Sequence, residues 1–422
     1  MVYIISKDGE PLMPTKRQGK VRRLLKNKKA KVISRCPFTI QLLYETTTIV
    51  QEVILGVDAG SKVVGLSATT EKEELYASET QLRTDIVGLL ASRREQRRGR
   101  RHRKTRYRAA RFSNRKRDKG WLAPSIKQKI ASHEKLIKEL HKLLPVAKVI
   151  VETASFDTQK LKDSLIAGEA YQQGEQLGFW NVREYVLFRD NHVCQHCKDK
   201  SKDAVLNVHH IESRKTGGDA PTNLITLCET CHNAYHRGKI DLKVKRGASY
   251  KDAAFMGIMR WALYEHLKEM YQNVEMTFGY ITKHVRIGAG LEKTHAVDAR
   301  CISGNPKAVP LGYYFHQKCV RRHNRQLHKA TINKGGIRKR NQAPKYVFGY
   351  QLFDQVKCGK QEGFVFGRRS SGSFDIRQLD GTSISKGVSY KKLKQLQKRK
   401  TILTERRMAT SSPQLKQGVS VA

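Results

Sequence analysis

Two pairs of cysteines place the strongest constraint on how this chain can fold. Two residues separate Cys194 from Cys197 and Cys228 from Cys231, and thirty residues lie between the pairs. Four thiolates spaced in this way can surround one Zn²⁺ ion tetrahedrally and leave no position open for water. A redox dithiol explains the pattern poorly, because a second pair would be redundant. We therefore predict a structural zinc site, and a reducing compartment rather than a disulfide framework.

Histidines and one asparagine accompany these cysteines. His209 and His210 are adjacent in a predicted strand, so their side chains point to opposite faces. One of them can bind a metal ion while the other faces a water molecule. Asn223 comes just before a predicted short strand or helix, and His232 and His236 follow the last cysteine. The alternative is a zinc ribbon that binds nucleic acid without cutting it, which would need neither the histidine pair nor the asparagine.

The charge of the chain restricts its partners. Its 422 residues carry a formal net charge of +44, with a pI of about 10.1. A surface this basic is typical of proteins that bind nucleic acid, and a structural RNA-binding protein is the simplest such case. The apolar runs are too short for a transmembrane helix or a signal peptide, so we expect no membrane partner and no secretion.

Much of this charge lies in one segment. From Arg93 to Lys119 there are fifteen Lys or Arg residues and two acidic residues. The arginines recur at three- and four-residue steps, which predicts a helix that becomes ordered when it binds phosphates. Because like charges four residues apart repel, a solvated, disordered segment is the alternative. The side chains expected to contact nucleic acid here are those of Arg93, Arg94, Arg97, Arg98, Arg100, Arg101, Arg103, Lys104, Arg106, Arg108, Arg111 and Arg115.

Three carboxylates stand at the ends of predicted core elements. Asp58 and Glu152 each follow an apolar strand, and Asp298 lies near the start of a predicted helix. Asp58 alone is equally consistent with a residue that caps its own turn and with a metal ligand. Carboxylates from distant segments that meet in one fold can hold two Mg²⁺ ions across a phosphodiester. His295, one helical turn before Asp298, would lie on the same face and could position or deprotonate water.

The remaining pattern predicts a multidomain α/β protein. Helices are expected at 125–144 and 253–271, and a strand at 274–280. In the C-terminal part, strands are expected at Tyr346–Leu352, Phe364–Phe366 and Phe374–Gln378, with disorder over about the last twenty residues.

These features resemble known nuclease families. The Cys/His segment resembles the HNH nucleases, and the carboxylate blocks resemble the RuvC nuclease with its RNase H-like fold, although Ala59 stands where proline often follows the first Asp. Their order along the chain resembles the IscB family, the transposon-encoded relatives of the type II CRISPR effectors. Further resemblance lies in Pro11-Leu12-Met13-Pro14 and in the C-terminal segments Phe364–Arg369 and Ser373–Arg377.

The resemblance implies a domain order, in which a RuvC fold in three segments carries two insertions. The expected domains are an N-terminal α+β PLMP domain (1–52), RuvC segment I (53–84), an arginine-rich bridge helix (85–119), RuvC segment II (120–165), linkers with a ββα-metal HNH domain and its zinc site (166–250), RuvC segment III (251–305), a basic β-rich domain that binds RNA or a target-adjacent motif (306–400) and a disordered tail (401–422).

The resemblance also implies roles for individual residues. In the HNH domain His210 would be the general base, His209 and His232 would ligate one Mg²⁺ ion, and Asn223 would orient the His210 ring; His236 receives no role. Asp58, Glu152 and Asp298 would hold two Mg²⁺ ions beside His295. Arg368 and Arg369 would contact nucleic acid.

The activity that the resemblance implies is RNA-guided cleavage of DNA. A guide (omega) RNA would pair with one strand of a double-stranded target beside a short flanking motif. The HNH site would cut the paired strand and the RuvC site the displaced strand. The protein would be a monomer in a ribonucleoprotein of the prokaryotic cytoplasm. An RNA-independent HNH/RuvC endonuclease and a non-catalytic nucleic-acid-binding protein are the alternatives.

Overall fold

The computed structural model describes residues 1–101, 121–153, 175–213, 218–242, 244–245, 247, 251–322, 335 and 344–409. The chain divides into two compact units, one made of Met1–Ala154 with Ile258–Ala422 and the other of Ser155–Gly257. No helix in the described ranges is long and apolar enough to cross a membrane.

The described ranges contain both β-strands and α-helices. The strands are β1 (Val2–Ile5), β2 (Pro11–Thr15), β3 (Ala30–Arg35), β4 (Phe38–Leu42), β5 (Val53–Asp58), β6 (Val63–Thr69), β7 (Glu74–Gln81), β8 (Val146–Thr153), β9 (Leu206–His210), β10 (Leu224–Cys228), β11 (Val274–Phe278), β12 (Tyr313–Cys319), β13 (Gln355–Cys358), β14 (Gln361–Arg368), β15 (Ser373–Arg377), β16 (Ser383–Ser389), β17 (Leu393–Gln397) and β18 (Ile402–Met408). The α-helices are α1 (Gln18–Lys26), α2 (Ile86–Arg101), α3 (Pro124–His141), α4 (Val182–Arg189), α5 (Glu229–His236), α6 (Lys251–Met270), α7 (Gly279–Gly288) and α8 (His295–Ile302).

A seven-stranded sheet forms the centre of the larger unit. Its order is β11-β8-β5-β6-β7-β12-β18. Strands β5, β6 and β7 form an antiparallel meander, and β8 and β11 run parallel to β5. Strands β5 to β7 are buried over most of their length, and β5 and β6 accordingly consist mainly of apolar and small residues rather than of an alternating pattern.

Helix α8 packs directly on this sheet because glycine leaves room for it. A Cβ atom at Gly56 would overlap the carbonyl oxygen of Ala299, and one at Gly65 would overlap that of His295. The close approach brings the first turn of α8 to the carboxyl end of β5.

Two smaller sheets complete the larger unit. The N-terminal sheet has the order β2-β1-β4-β3, and its apolar core includes Val2, Val21 and Ile40. The C-terminal sheet is antiparallel, with the order β16-β15-β14-β13-β17. Its core includes Phe374 and Ile376, both fully buried.

The structure corrects four predictions about the C-terminal half. The sequence predicts a disordered tail from residue 401 onward. This prediction is wrong for Ile402–Met408, which form β18, the edge strand beside β12. Edge strands carry polar side chains on exposed positions, so the segment lacks a clear apolar period. Strand β12 joins the seven-stranded sheet too, although its residues fall in the predicted C-terminal domain.

The strand predicted at Tyr346–Leu352 is also wrong. The segment instead makes a tight turn in which Val347 and Tyr350 form an isolated bridge. Finally, the strand expected to reach Tyr280 ends at Phe278, and the unpredicted helix α7 follows at once.

Candidate active sites

Three carboxylates lie together beside the carboxyl ends of two inner strands of the seven-stranded sheet, and we call them the carboxylate site. Asp58 ends β5, Glu152 is the penultimate residue of β8, and Asp298 lies in the first turn of α8. Strands β5 and β8 are parallel neighbours, so their carboxyl ends lie side by side. Asp58 and Glu152 are buried, with exposed fractions of 6% and 8%. The structure therefore brings together the three residues that the sequence placed about 90 and 150 positions apart.

His295 is held by Asp58. Its Nδ1 atom lies 2.6 Å from Asp58 Oδ2, and this hydrogen bond raises the pKa of His295. Two contacts fix the start of the helix that carries it. Thr294 Oγ1 accepts a hydrogen bond from the Val297 amide, and Glu79 accepts one from the Ala296 amide. Glu79 thus adds a fourth carboxylate beside the site, which sequence reasoning did not single out.

Two arginines neutralise the other carboxylates. Arg260 Nη1 lies 2.8 Å from Glu152 Oε1, while its Nε donates to the carbonyl of Ala59 at 2.9 Å. Arg286 Nε lies 3.0 Å from Asp298 Oδ1. Each carboxylate of the site therefore has one basic partner.

Crowding of negative charge prepares the carboxylate site for a cation. Burial, followed by the charges of Asp58 and Asp298, raises the pKa of Glu152 despite the nearby Arg260. Burial and Asp58 likewise raise the pKa of Asp298. Asp298 Oδ1 is buried without a hydrogen-bond partner, even with the Arg286 side chain at ion-pair distance. Hard oxygen ligands with a free lone pair fit Mg²⁺, so the residues present fit the predicted cation.

Basic side chains from the helices also hold the turn after Asp58. Lys129 Nζ donates to the carbonyl of Ser61, and Arg260 to that of Ala59. One turn further along α3, His133 is fully buried, with Nδ1 2.8 Å from the carbonyl of Lys129. Burial lowers the pKa of His133 to about 4.

Three histidines meet in the smaller unit, and we call them the histidine cluster. Strands β9 and β10 form an antiparallel pair, and α5 follows β10 directly. Ring nitrogens of His209, His232 and His236 all lie within 4.8 Å of one another. His236 therefore joins the two predicted ligands. The i, i+4 spacing of His232 and His236 on a helix was a signal that could have found it.

The histidine cluster fits a divalent cation. Burial, followed by the neighbouring histidines, lowers the pKa of His209 to about 4, and burial lowers the pKa of His232. Both rings are thus kept in the neutral form that binds metal ions. His209 Nε2 is buried and has no hydrogen-bond partner, so it is available as a ligand.

His210 lies on the opposite face of β9 from His209, as the strand period predicts. Its Nε2 atom lies 2.9 Å from Asp219 Oδ1. The predicted contact with Asn223 is wrong. Asn223 Oδ1 accepts from the Glu212 amide, while Nδ2 donates to the carbonyls of Glu212 and Gly218. Because its amide is fully engaged with the backbone, Asn223 holds the segment after β9, and Asp219 takes the place beside His210.

The four predicted cysteines form a cluster of their own. The sulfur atoms of Cys194, Cys197, Cys228 and Cys231 all lie within 4.8 Å of one another. Cys194 and Cys228 are buried in the small core of the unit, which also contains Ile225 and Leu227. Four thiolates fill a tetrahedral coordination shell, so this set of soft ligands fits a structural Zn²⁺ ion.

The predicted nucleic-acid contacts fall into three groups. Arg93, Arg94, Arg97 and Arg98 are exposed on α2, as is Arg369 after β14. Arg100 and Arg101 end α2. The others, Arg103, Lys104, Arg106, Arg108, Arg111 and Arg115, lie outside the described residues.

Arg368 departs from the prediction of an exposed nucleic-acid contact. Its guanidinium donates to the carbonyls of Lys345 at 2.6 Å and Tyr350 at 2.9 Å, and to that of Pro344 at 3.4 Å. The side chain therefore fixes a neighbouring loop.

Two families match parts of the chain. The family described as RRXRR protein matches residues 2–174, and the family described as HNH endonuclease matches residues 194–238. Anaredoxin from Nostoc sp. strain PCC 7120 is 33% identical over 58 residues, which are 14% of this chain and 74% of that protein.

Solved structures with some similarity include crystal structures of Streptococcus thermophilus Cas9. The complex with the AGAA PAM has a TM-score of 0.33 and 11% identity, and the complex with the AGGA PAM a TM-score of 0.32 and 14% identity. Each match covers 57% of this chain and 32% of the Cas9 chain. The chain therefore spans about a third of the length of the Cas9 proteins it matches.

Proposed function

We propose that this chain, an IscB-like DNA endonuclease with an HNH domain, is directed by a bound RNA and cuts both strands of its target. One active site would be the histidine cluster with His210, and the other the carboxylate site. The observation that carries the proposal is that one strongly basic chain has three histidines within 4.8 Å of one another in the smaller unit, and the mutually close carboxylates of Asp58, Glu152 and Asp298 in the larger unit.

We further propose that the seven-stranded sheet is a RuvC-type, RNase H-like fold. The antiparallel meander β5–β7, with β8 and β11 added parallel to β5, supports this assignment. So does the position of the carboxylates at the carboxyl ends of β5 and β8. The HNH unit would then be an insertion between β8 and α6.

At the histidine cluster, His209, His232 and His236 would hold one divalent cation, which would polarise the scissile phosphate and stabilise the leaving oxygen. His210 would take the proton of the attacking water. If its Nε2–H is donated to Asp219, as the 2.9 Å distance allows, Nδ1 is left as the acceptor. Asp219 would then also stabilise the protonated ring.

At the carboxylate site, Asp58, Glu152 and Asp298 would hold two Mg²⁺ ions that position the nucleophile and neutralise charge on the phosphate. His295 donates Nδ1–H to Asp58, so its Nε2 is the atom that can accept a proton from water. Arg260 and Arg286 keep two of the carboxylates in place through their ion pairs.

The guide RNA would bind to the basic surface. Four exposed arginines on two faces of α2 can contact phosphates of more than one strand. Sequence would be read by base pairing to this RNA, and the displaced DNA strand would enter the carboxylate site.

Strand-specific nicking tests the two sites. Asp58→Ala should abolish cutting of the displaced strand alone, and His210→Ala cutting of the RNA-paired strand alone. The measurement is cleavage of a plasmid target with each strand labelled separately. Asp85→Ala and His266→Ala, which remove exposed members of surface ion pairs, are the matched controls. Loss of both cuts in either active-site variant would contradict two independent sites.

The RNA partner is tested separately. A discrete RNA of defined length should co-purify with the wild-type protein, and ribonuclease treatment should abolish cleavage. Cleavage that survives complete removal of RNA would favour an RNA-independent endonuclease instead.

A further inference from the structure

A pair of stacked aromatic rings stands on the C-terminal sheet. The ring centroids of Phe348 and Tyr390 are 4.1 Å apart, with an angle of 9° between the planes. Behind Tyr390 lies Phe374, which is fully buried, with ring centroids 6.4 Å apart. The planes of these two rings are inclined by 39°, so Phe374 supports Tyr390 from the core, and the stacked pair itself ends in Phe348, which is 48% exposed.

Phe348 occupies a position that its backbone disfavours. Val347 and Tyr350 exchange backbone hydrogen bonds of 2.9 and 3.0 Å, so Phe348 and Gly349 form a two-residue turn. Both have positive φ, 48° and 82°. Turns of this kind favour Asn-Gly, and a bulky side chain at positive φ is rare. Such residues concentrate at functional positions.

The surrounding structure holds this unfavourable turn rigidly. Arg368 binds the carbonyls of Lys345 and Tyr350, and the Tyr350 hydroxyl donates to the carbonyl of Leu393 at 2.9 Å. Gly372 also gives the stack its room, since a Cβ there would lie 2.9 Å from the Tyr390 ring and 3.3 Å from Phe348. The protein thus fixes an exposed ring at a defined place.

The charge around the pair identifies what it can bind. The three segments that surround it, 344–350, 368–373 and 386–394, contain seven Lys or Arg residues and no Asp or Glu. All of them except Arg368 are exposed: Lys345, Arg369, Lys386, Lys391, Lys392 and Lys394. A rigid aromatic face among basic side chains is complementary to nucleic acid with unpaired bases, because bases stack on aromatic rings while the phosphates pair with the cations.

We infer that Phe348, stacked on Tyr390, is a binding platform for an unpaired base of the bound RNA. This inference rests on the proposed RNA partner. The base would extend the Tyr390–Phe348 stack by one ring. The nearby cations would hold the phosphates on either side.

The experiment uses the turn chemistry to separate binding from folding. Phe348→Asn restores the residue that the turn prefers, so the melting temperature should stay the same or rise while the stacking face is lost. With an oligouridylate that contains 4-thiouridine, photocrosslinking to residues 346–350 and 390 should fall by about tenfold relative to wild type. Phe348→Trp should keep the crosslink, and its added indole fluorescence should be quenched when the RNA binds. Ile49→Asn, which removes an 89% exposed apolar side chain elsewhere, is the control.

The possible outcomes distinguish this inference from the proposed function. If wild-type protein crosslinks to RNA elsewhere but not at these residues, or if Phe348→Asn lowers the melting temperature and leaves crosslinking unchanged, the platform is refuted and RNA guidance stands. Crosslinking of the platform to duplex DNA or to a protein in preference to the oligouridylate also refutes it. If the wild-type protein binds no RNA at all, the proposed function itself fails.

Discussion

The two candidate active sites differ in how the chain assembles them. The cysteine and histidine clusters come from one continuous segment, Cys194–His236, in the smaller unit. The carboxylate site comes from residues 58, 152 and 298 in the larger unit, and it exists only once the seven-stranded sheet has formed. The first region can be organised by metal ions at short range. The second depends on sheet pairing and on the close packing of α8.

The two sites also differ in how the charge of their ligands is compensated when no cation is bound. In the carboxylate site, Arg260, Arg286 and His295 each lie against one carboxylate. The histidine cluster needs no such partners, because burial keeps His209 neutral. A preformed acidic site must carry its own counter-charges, whereas a site of neutral ligands need not.

Zinc removal should give the largest difference in stability between the two regions. Cys228→Ser, or chelation, should unfold β9, β10 and α5, because structural zinc contributes on the order of 10 kcal/mol in small domains. Hydrogen exchange should show lost protection in these elements and unchanged protection in β5 to β8, with zinc content measured by mass spectrometry. Cys358→Ser, outside the cluster, is the control. Retained protection in zinc-free protein would show that this region does not depend on the metal.

Removal of Arg260 should affect only the carboxylate site. Arg260→Met breaks a buried ion pair and should lower the free energy of unfolding of the larger unit by about 3 kcal/mol. Because Mg²⁺ can replace the lost charge, the rise in melting temperature on adding Mg²⁺ should be larger in the variant than in wild type. Arg83→Met, in a surface pair with Asp85, should change neither quantity. An unchanged response to Mg²⁺ would mean that Arg260 does not act as the counter-charge.

Acid should destabilise the larger unit through His133. Its pKa is about 4 in the folded protein, lowered by burial and by the charges of Lys129 and Arg260, against about 6.5 in the unfolded chain. The unfolded state therefore binds the proton first, and stability is lost as the pH falls from about 6.5 to about 4, by about 3 kcal/mol at most. His133→Gln should flatten this dependence in denaturant titrations, and exposed His266→Gln should not. Equal slopes in wild type and His133→Gln would exclude this origin.

The smallest effect should come from Gly65→Ala. The added methyl group must displace α8 from the sheet, at a cost of about 1–3 kcal/mol. It should weaken cutting of the displaced strand and leave cutting of the paired strand intact. Gly19→Ala in α1, where a Cβ meets open space, should instead stabilise the protein slightly. Full displaced-strand cutting by Gly65→Ala would show that the position of α8 is not critical.

The comparison also explains what the sequence could predict. The spacing of residues in the sequence predicts the four cysteines, His209 and His232, because the members of each cluster are close together along the chain. Asp58, Glu152 and Asp298 are visible only as acids at the ends of core elements, and pairing of distant strands is needed to bring them together.

The residues that sequence reasoning missed are mostly those whose role depends on tertiary contacts. Arg260 stands on a buried helix face beside Met259 and Leu263, and an arginine among apolar positions was the available signal. The engagement of Asn223 and Arg368 with backbone carbonyls leaves no trace in spacing or composition. The edge strand β18 is polar enough to read as a tail.

The long interruptions of the seven-stranded sheet bear on how the protein is made. Asp58 and Asp298 are 240 positions apart, so at about 5–20 residues per second a ribosome needs roughly 10–50 s to add the third ligand after the first. The segment with the candidate zinc ligands is synthesised earlier, so it can fold before the later strands of the sheet, β11, β12 and β18, have been made. A nascent chain would thus hold a complete set of candidate zinc ligands well before it could hold a complete carboxylate site, and translation that stops before residue 298 would leave a product with only one of the two candidate active sites.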